Sequence, residues 1–319
     1  MPVAFVTGAS GQDGGYLVER LLADGWDVAA LVRGGDDSSL PSAVRPFEGD
    51  LRDAPGLGRA VAAAAPDAVF HLAGISSVAQ SWQEPVLTAE VTGTAVAALL
   101  EAAHALQESS GREVRFVQAS SSEIFGAATE NPQTERTPLR PVSPYGAAKA
   151  FAHHLVGVYR GRGLHASSAI LYNHESPRRP ESFVTRKITA GVAAIAVGTA
   201  QELSLGNLDA RRDWGWAPDY VDALIRASRA DGADDYIVAT GVAHSVREFV
   251  GAAFAAAGID DWEDRVVIDP RFARPVDAPE MRGDASKARE ALGWAPTVGF
   301  EDIVARMVEN DLELARRSV

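Results

Sequence analysis

A glycine-rich turn near the start of the chain constrains the fold more than any other sequence feature. It follows a strand-like segment, Val3 to Val6, and opens a helical pattern from about Gly14 to Asp24. Glycines permit a tight turn and close approach to a ligand, and a helix N-terminus favours an anion. Glycines also mark ordinary turns, but strand, turn and helix in this order predict a phosphate loop for a dinucleotide. The loop residues expected to contact it are Gly8, Gly11, Gln12, Asp13 and Gly14.

Strand-like and helix-like segments alternate through the first half of the chain. Such alternation predicts an α/β fold, a Rossmann-type doubly wound parallel sheet covered by helices on both faces. Beyond Asn173 the pattern loosens, which indicates a smaller C-terminal substrate-binding lobe. We expect residues 1–172, with about 214–242 returning, to form the dinucleotide-binding domain and residues 173–213 and 243–319 to form the lobe. The segments behind this prediction are strands at 3–6, 27–32, 68–72, 114–119, 166–171 and 236–238, and helices at 84–106, 145–161, 221–229, 245–257 and from 300 onward.

Composition limits the possible partners. The 319 residues carry 30 basic and 43 acidic side chains, a net charge of −13, which argues against nucleic acid or an anionic membrane as the main partner. There is no cysteine, so disulfides and thiolate chemistry are excluded. No basic leader precedes the first strand. The most apolar helical run, Ala95 to Leu106, is expected to fall well short of membrane length. We therefore expect a cytoplasmic protein.

The end of the second strand bears on the choice of dinucleotide. An acid usually holds the free ribose hydroxyl there, but this strand ends in Arg33, which can pair with a 2′-phosphate. The cation favours NADP over NAD, and the alternative is a solvated surface arginine. Asp50 and Leu51 sit where a third strand would end beside the adenine, although Asp50 can equally cap the next helix.

Four side chains form a candidate catalytic set. Tyr145 and Lys149 lie one helical turn apart, and a nearby ammonium favours the phenolate, so the pair suggests hydroxyl–ketone redox chemistry. Ser121 and Glu123 follow a buried strand and emerge at its carboxyl edge, where ligands of open α/β folds bind. Three consecutive serines also fit a plain polar loop. The carboxylate of Glu123 is the informative addition, because a simple dehydrogenase needs no second acid–base group there.

These motifs, with longer matching stretches, resemble the GDP-mannose 4,6-dehydratase family of the extended short-chain dehydrogenase/reductases. The resemblance spans nearly the whole chain, and the block Asn173 to Arg179 is its most specific part. The other matching stretches are Gly11–Gly14, Gln118–Gly126, Ser143–Lys149, Phe183–Ile188, Gly206–Asp209, Arg212–Gly215, Asp269–Arg271 and Arg274-Pro275.

The resemblance implies a reaction. A bound NADP takes a hydride from C4 of the hexose while Tyr145, supported by Lys149, removes the hydroxyl proton and Ser121 hydrogen-bonds the oxygen. The C4 ketone acidifies the C5 proton, and Glu123 then removes it and protonates the departing C6 hydroxyl. Hydride return to C6 gives GDP-4-keto-6-deoxy-D-mannose from GDP-D-mannose without consuming an external reductant. A 4-ketoreductase or epimerase of the same fold, or a dehydratase for another nucleotide-hexose, is the alternative.

The resemblance also indicates which residues bind the cofactor and which bind the nucleotide-sugar. It implies cofactor contacts for Leu72, Tyr145, Lys149, His174 and Arg179 in addition to the loop and strand-end residues. The nucleotide-sugar contacts are expected at Asn173, Lys187, Arg212, Arg274 and Asp277. For any single arginine the alternative is a surface ion pair. No histidine pattern indicates a metal ligand set, so no metal is predicted.

Three departures from the family pattern bear on assembly and specificity. The chain between Arg33 and Asp50 is short and lacks the usual second arginine. That loop contributes to NADP binding and tetramer formation in the family, so a homodimer is expected here and a tetramer is the alternative. Asp277 stands in place of the usual glutamate, and the stretch Gly74 to Trp82 differs near the sugar. Both differences leave room for another sugar or base.

Overall fold

The fold is built on a seven-stranded parallel sheet with the strand order β10-β6-β5-β4-β1-β2-β3. The computed structural model describes residues 1–34, 40–272, 276, 278 and 280–317. The predicted Rossmann-type α/β fold is confirmed. The strands of the large sheet are β1 (Val3–Thr7), β2 (Asp27–Val32), β3 (Arg45–Glu48), β4 (Ala68–His71), β5 (Arg115–Ser121), β6 (His165–Leu171) and β10 (Asp235–Val238).

Helices cover both faces of this sheet because its strands are apolar on both sides. Strands β4 and β6 are buried along their whole length, as expected for parallel strands between two helical layers. One layer packs on Val6 and Phe70, and the other packs on Phe5 and Val69. The helices are α1 (Gln12–Ala23), α2 (Ala54–Ala64), α3 (Val78–Gln83), α4 (Pro85–Thr88), α5 (Ala95–Ser110), α6 (Pro144–Gly161) and α8 (Ala217–Arg229), with a π-helical turn at Ala89–Thr94.

The strand order reverses between β1 and β4, so the loops that follow these strands diverge to opposite sides. A crevice opens at such a switch point, at the carboxyl ends of the strands. The glycine-rich turn follows β1, Leu72 follows β4, and Ser121 ends the neighbouring β5. The topology therefore gathers the predicted cofactor and catalytic residues at one edge of the sheet.

The second half of the chain adds a smaller lobe with its own core around Trp214 and Phe249. Sequence patterning missed most of its elements because short strands and one polar-faced helix carry little periodicity. The lobe strands β7, β9, β11 and β13 form one sheet, and β8 pairs with β12. The elements are β7 (Asn173–Glu175), α7 (Val184–Ala196), β8 (Leu203–Leu205), β9 (Arg211–Trp216), β11 (Ala243–Ser245), α9 (Val246–Ala256), β12 (Val266–Ile268), β13 (Glu280–Met281), α10 (Ser286–Leu292) and α11 (Phe300–Arg317).

The helical run before β5 is longer than the sequence suggested. It continues without a break from Pro85 to Ser110, 26 residues, so by length and composition alone it could cross a membrane. The expectation of a run well short of membrane length is wrong. One face of this run, including Val96, Leu99 and Leu100, is buried in the core against the sheet. A core helix passes the same test of length and composition, and these contacts are those of a core helix.

Candidate active site

The glycine-rich turn forms a tight cradle at the start of α1. Gly8 has φ +77°, a conformation that favours glycine, and a β-carbon there would lie 2.8 Å from the amide nitrogen of Ala73. A β-carbon on Gly14 would lie 1.9 Å from the carbonyl oxygen of Gly8. Within the described part of the chain no side chain caps α1 at Gly11. The first amides of the helix are thus available to an anion, which fits a dinucleotide pyrophosphate.

The four candidate catalytic residues meet in one cavity of about 810 Å³. Ser121 is the last residue of β5, and Glu123 lies in the 3₁₀ turn that follows it. Tyr145 and Lys149 lie on the first turns of α6 and are 8% and 6% exposed. The structure brings these four side chains together, and their chemical roles remain a proposal.

Glu123 is held next to Tyr145 by the backbone. The amide of Glu123 donates to Ser121 Oγ at 3.3 Å. A β-carbon on Gly146 would lie 2.6 Å from the carbonyl oxygen of Glu123, so the start of α6 packs directly on this turn. Ser143 caps α6 by accepting from the Gly146 amide at 3.0 Å. A glycine after the tyrosine therefore lets the helix bring Tyr145 close to the carboxylate.

The expected effect of Lys149 on Tyr145 is not seen in the ligand-free chain. Burial raises the pKa of Tyr145 to about 12, and the charge of Glu123 adds to this shift while a hydrogen bond with Ser121 opposes it. The Lys149 ammonium donates to the Ala119 carbonyl oxygen at 2.7 Å and lies 5.8 Å from the Tyr145 ring centroid. Burial lowers the pKa of Lys149 to about 8. The predicted lowering of the Tyr145 pKa by Lys149 is therefore not seen, because desolvation dominates.

An ion pair joins the phosphate loop to the segment after β6. His174 Nε2 lies 2.8 Å from an Asp13 carboxylate oxygen, and the His174 ring stacks on Tyr220 with centroids 4.5 Å apart. Burial works to raise the pKa of Asp13 and to lower that of His174. Their pairing outweighs burial, so the pKa of Asp13 lies below its usual value and that of His174 above it. The pairing therefore favours the charged form of both side chains and links the loop to the segment after β6.

Arg179 lies in the cavity wall, where it forms a second buried ion pair. Its guanidinium donates from Nε to a Glu175 carboxylate oxygen at 2.9 Å, and the Thr185 hydroxyl donates to the same oxygen at 2.6 Å. The predicted cofactor residues His174 and Arg179 are thus brought to the wall of the cavity. Asp13 and Leu72 line the cavity with them.

The predicted adenosine-binding residues lie at the outer edge of the sheet. Arg33 is exposed just after β2, and Asp50 follows β3 as predicted. Arg52 binds both Asp50 oxygens, at 3.0 and 2.6 Å, and this pairing lowers the pKa of Asp50 to about 2. Leu51 is half-buried. Glu48 places a carboxylate against Gly34, so the same edge also carries an acid.

Some of the predicted substrate-binding residues lie in the part of the chain that the structure describes, and others lie outside it. Asn173, Lys187 and Arg212 line the catalytic cavity. Arg212 is buried and donates from Nη1 to the carbonyl oxygens of Arg211 and Ala278, at 2.8 and 2.9 Å. Arg274 and Asp277 lie outside the described residues.

Sequence reasoning missed three residues that the structure places in or near the site. Glu175 and Arg52 hold predicted residues in position, and Phe272 lines the cavity. An Asp-x-Arg signal was available, because Asp50 with Arg52 and Asp269 with Arg271 make the same bidentate contact. Among the described residues no group of three His, Asp or Glu is arranged to hold a metal ion. The absence of a metal remains a prediction.

Comparisons with known proteins identify the family. The family model described as GDP-mannose 4,6 dehydratase matches residues 5–307. GDP-mannose 4,6 dehydratase 1 of Arabidopsis thaliana is 46% identical over 99% of this chain and 91% of its own length. GDP-mannose 4,6-dehydratase of Vibrio cholerae is 38% identical over 98% of this chain and 95% of its own length.

Solved structures with the same fold are found among related enzymes. UDP-glucose 4-epimerase of Thermus thermophilus, in complex with NAD, is 32% identical with a TM-score of 0.85 and covers 97% of this chain and 98% of its own. RMD from Pseudomonas aeruginosa, complexed with NADPH, is 26% identical with a TM-score of 0.81 and covers 98% of this chain and 100% of its own. The match over nearly the whole chain confirms the resemblance seen in the motifs, and the chain belongs to the GDP-mannose 4,6-dehydratase family.

Proposed function

We propose that this chain converts GDP-D-mannose to GDP-4-keto-6-deoxy-D-mannose and water. Family membership and an intact set of acid–base groups support this activity. The observation that supports this activity most directly is the placement of Glu123 beside Ser121 and Tyr145 in one cavity. Oxidation at C4 needs only the tyrosine and its neighbours, whereas loss of water across C5 and C6 needs a further group that gives up and takes a proton.

Tyr145 and Ser121 act at the C4 oxygen. Ser121 hydrogen-bonds this oxygen, and Tyr145 accepts the hydroxyl proton as C4 becomes a ketone. The raised pKa of Tyr145 keeps its phenol protonated at neutral pH, so this proton must leave before the residue acts as a base. The positive charges of Lys149 and Arg179 lie on the same cavity wall and favour the phenolate once the cavity is filled.

Glu123 acts at C5 and C6. The ketone at C4 acidifies the C5–H bond, so a carboxylate can remove this proton at neutral pH. The protonated Glu123 then donates to the C6 hydroxyl, which leaves as water, and a proton returns to C5 at the end of the cycle. A group that changes protonation state twice in one turnover must sit next to the reacting carbons, and half-burial in the cavity wall suits this role.

The residues at the sheet edge fit a nicotinamide dinucleotide. The cradle at Gly8, Gly11 and Gly14 and the uncapped start of α1 suit its pyrophosphate, with Gln12 and Asp13 in the same turn. A nicotinamide held by these residues would supply the hydride acceptor for C4 and the hydride donor for C6. The remaining proposed contacts are Arg33, Asp50, Leu51, Leu72, Tyr145, Lys149, His174 and Arg179.

NADP is proposed over NAD because Arg33 is exposed at the end of β2. Glu48 is the competing acid at this edge and favours a free ribose hydroxyl instead. Comparing the dissociation constants of NADP and NAD tests the proposal, and Arg33→Ala should remove the preference. A preference for NAD in the wild type would contradict the assignment to Arg33.

The lobe supplies the nucleotide-sugar side of the site. Cations offset the diphosphate charge in an acidic protein, and the proposed contacts are Asn173, Lys187, Arg212, Arg274 and Asp277. The division into a dinucleotide domain and a lobe is part of the proposal, and the pairing of β10 with β6 in the large sheet supports it. A cytoplasmic homodimer, with a tetramer as the alternative, remains a prediction from the sequence.

Incubation with GDP-mannose and a catalytic amount of NADP tests the function. A dehydratase forms the 4-keto-6-deoxy product with many turnovers and no net change in NADPH, whereas an enzyme that only exchanges hydride at C4 reduces NADP in proportion to product and an epimerase keeps the C6 hydroxyl. Thermal shifts with GDP-, UDP-, dTDP- and CDP-hexoses identify the nucleotide, because a true substrate stabilises the folded state.

The Glu123→Gln variant tests the assignment of the carboxylate. It should lower kcat for dehydration by about 10²–10⁴-fold because the amide cannot carry the proton, while GDP binding stays unchanged. The matched control is Glu113→Gln, which changes an exposed carboxylate paired with Arg115. Dehydration by Glu123→Gln at the wild-type rate would show that another group handles the C5 proton.

A further inference from the structure

The C-terminal helix α11 is linked to the wall of the catalytic cavity through one buried arginine. Arg186, in the first turn of α7, donates from Nε to a carboxylate oxygen of Asp311 on α11 at 2.8 Å. Its Nη2 lies 2.7 Å from the other oxygen of the same carboxylate. The Thr189 hydroxyl also donates to Asp311, at 2.6 Å. Both charged side chains are buried, so this two-point contact fixes the plane of the guanidinium.

The remaining terminal nitrogen of Arg186 holds the main chain that carries Arg179. This Nη1 donates to the carbonyl oxygen of Pro177 and, at 3.1 Å, to that of Arg179. The Arg179 amide donates to the Ser176 carbonyl oxygen at 3.0 Å, so residues Ser176 to Arg179 form a tight turn. Two carbonyl oxygens of this turn therefore share one donor, and the opposite edge of that guanidinium is fixed by Asp311.

The Arg179 side chain runs from this turn to the reacting groups. It lines the catalytic cavity together with Tyr145, and its guanidinium lies 4.2 Å from the Phe183 ring centroid. Burial dominates the pKa of Tyr145 and raises it, whereas the charge of Arg179 acts in the opposite direction. The interaction between two charges weakens as their separation grows. A displaced turn would therefore change both the effect of Arg179 on Tyr145 and its reach toward a ligand in the cavity.

The choice of an arginine bears on whether the buried pair serves the cavity or only the fold. An ion pair between α7 and α11 needs only opposite charges, and a lysine ammonium would supply one as a point charge. The guanidinium of Arg186 instead divides its donors, with Nε and Nη2 on Asp311 and Nη1 on the turn. A rigid fork of this shape makes the position of the turn depend on the position of α11.

We propose that Arg186 and Asp311 are positioning residues of the active site, which hold the turn from Ser176 to Arg179 so that the Arg179 guanidinium reaches the dinucleotide and Tyr145. The proposal rests on the proposed function for the reaction, whereas the dinucleotide contact of Arg179 is measurable without turnover. It makes the C-terminal helix, 125 residues beyond Arg186, a determinant of activity.

A double-mutant cycle tests the proposal. Arg186→Lys keeps a charge opposite Asp311 but cannot also hold both carbonyl oxygens. It should weaken binding of the tighter of NADP and NAD, measured by titration calorimetry, by about tenfold, and it should lower kcat/KM for GDP-mannose by about as much. The second background is Arg179→Met with Glu175→Gln, which removes the cavity pair without leaving a buried charge. There Arg186→Lys should change either quantity by about twofold or less, because its effect passes through Arg179.

Two further variants separate positioning from stability. Arg186→Met combined with Asp311→Leu removes both buried charges, so the Tm should stay near that of the wild type. The dinucleotide should nevertheless bind about tenfold more weakly, because the turn has lost its donor. The matched control is Val308→Ala, which opens the lobe core on the same helix α11. It should lower the Tm and leave the dissociation constant and kcat/KM unchanged.

The outcomes that overturn the proposal differ from those that refute the proposed function. Arg186→Lys with wild-type affinity and kcat/KM would overturn it, as would equal losses with and without Arg179. A loss of affinity in Val308→Ala equal to that in Arg186→Lys would also overturn it, since reduced stability would then account for both. A wild type that binds the dinucleotide but forms no 4-keto product would refute the proposed function, and the cycle of dissociation constants would still decide the role of Arg186.

Discussion

The two sides of the cavity position their residues in different ways. On the sheet side, Ser121 and Tyr145 sit at the end of a buried strand and on the first turn of a long helix, so the main chain fixes them. On the lobe side, Arg179 and Arg212 are held by a carboxylate and by carbonyl oxygens. The lobe cations are therefore positioned by the hydrogen bonds of their own guanidinium groups. We infer that the sheet side sets the chemistry and the lobe side sets the substrate.

The largest expected effect tests the sheet side. Tyr145→Phe removes the hydroxyl proposed to accept the C4 proton, so kcat should fall by about 10²–10⁴-fold while the dissociation constant of GDP changes little. Tyr159→Phe is the control on the same helix, because its hydroxyl donates to the exposed Glu101 at 2.6 Å. A Tyr145→Phe variant that kept its kcat and lost GDP affinity would reverse the division between the two sides.

The next effect tests how the lobe is held together. Asp311 on α11 pairs with Arg186 on α7 at 2.7 Å, and the two side chains are 2% and 9% exposed. Asp311→Ala leaves a buried, unpaired guanidinium, and we expect the free energy of unfolding to fall by about 3–5 kcal/mol. Chemical denaturation measures this loss. Glu313→Ala, on the same helix but in an exposed pair with Arg317, should change stability by about 1 kcal/mol or less. Equal losses in the two variants would contradict the account of the lobe.

The smallest of these effects concerns pH. Lys149 has a pKa lowered to about 8 by burial, so it is protonated below this pH and loses its charge as the pH rises through it. If the charge favours the Tyr145 phenolate in the filled cavity, kcat/KM should fall above pH 8, by about tenfold per pH unit at the limit. A pH profile of the wild type from pH 6 to 10 measures this. A kcat/KM that is flat to pH 10 would show that the Lys149 charge is not needed.

The sequence predicted the sheet side well because its signals are local and periodic. Strand β2, for example, has the predicted bounds. The glycine-rich turn and the Tyr–Lys spacing each fit within one element. Such signals can be recognised in the sequence without knowledge of the tertiary structure.

The lobe was harder to predict because its contacts join distant segments. Helix α7 went unassigned as a helix, and strands of two or three residues such as β13 lack a detectable period. The contact of Phe272 with Lys187 joins the turn after β12 to α7, and these two segments are far apart in the chain. The prediction for the pKa of Tyr145 failed for a related reason. The sequence shows the neighbouring lysine, but it does not show that the tyrosine is buried.

Isotope transfer tests the central claim most directly. In the proposed reaction, the hydrogen that leaves C4 as hydride returns to C6 of the same sugar. GDP-D-mannose labelled with deuterium at C4 should therefore give a 4-keto-6-deoxy product with the deuterium at C6 and no net change in NADPH. Product analysis by NMR that finds deuterium still at C4, or lost from the sugar with accumulation of reduced cofactor, would contradict internal dehydration.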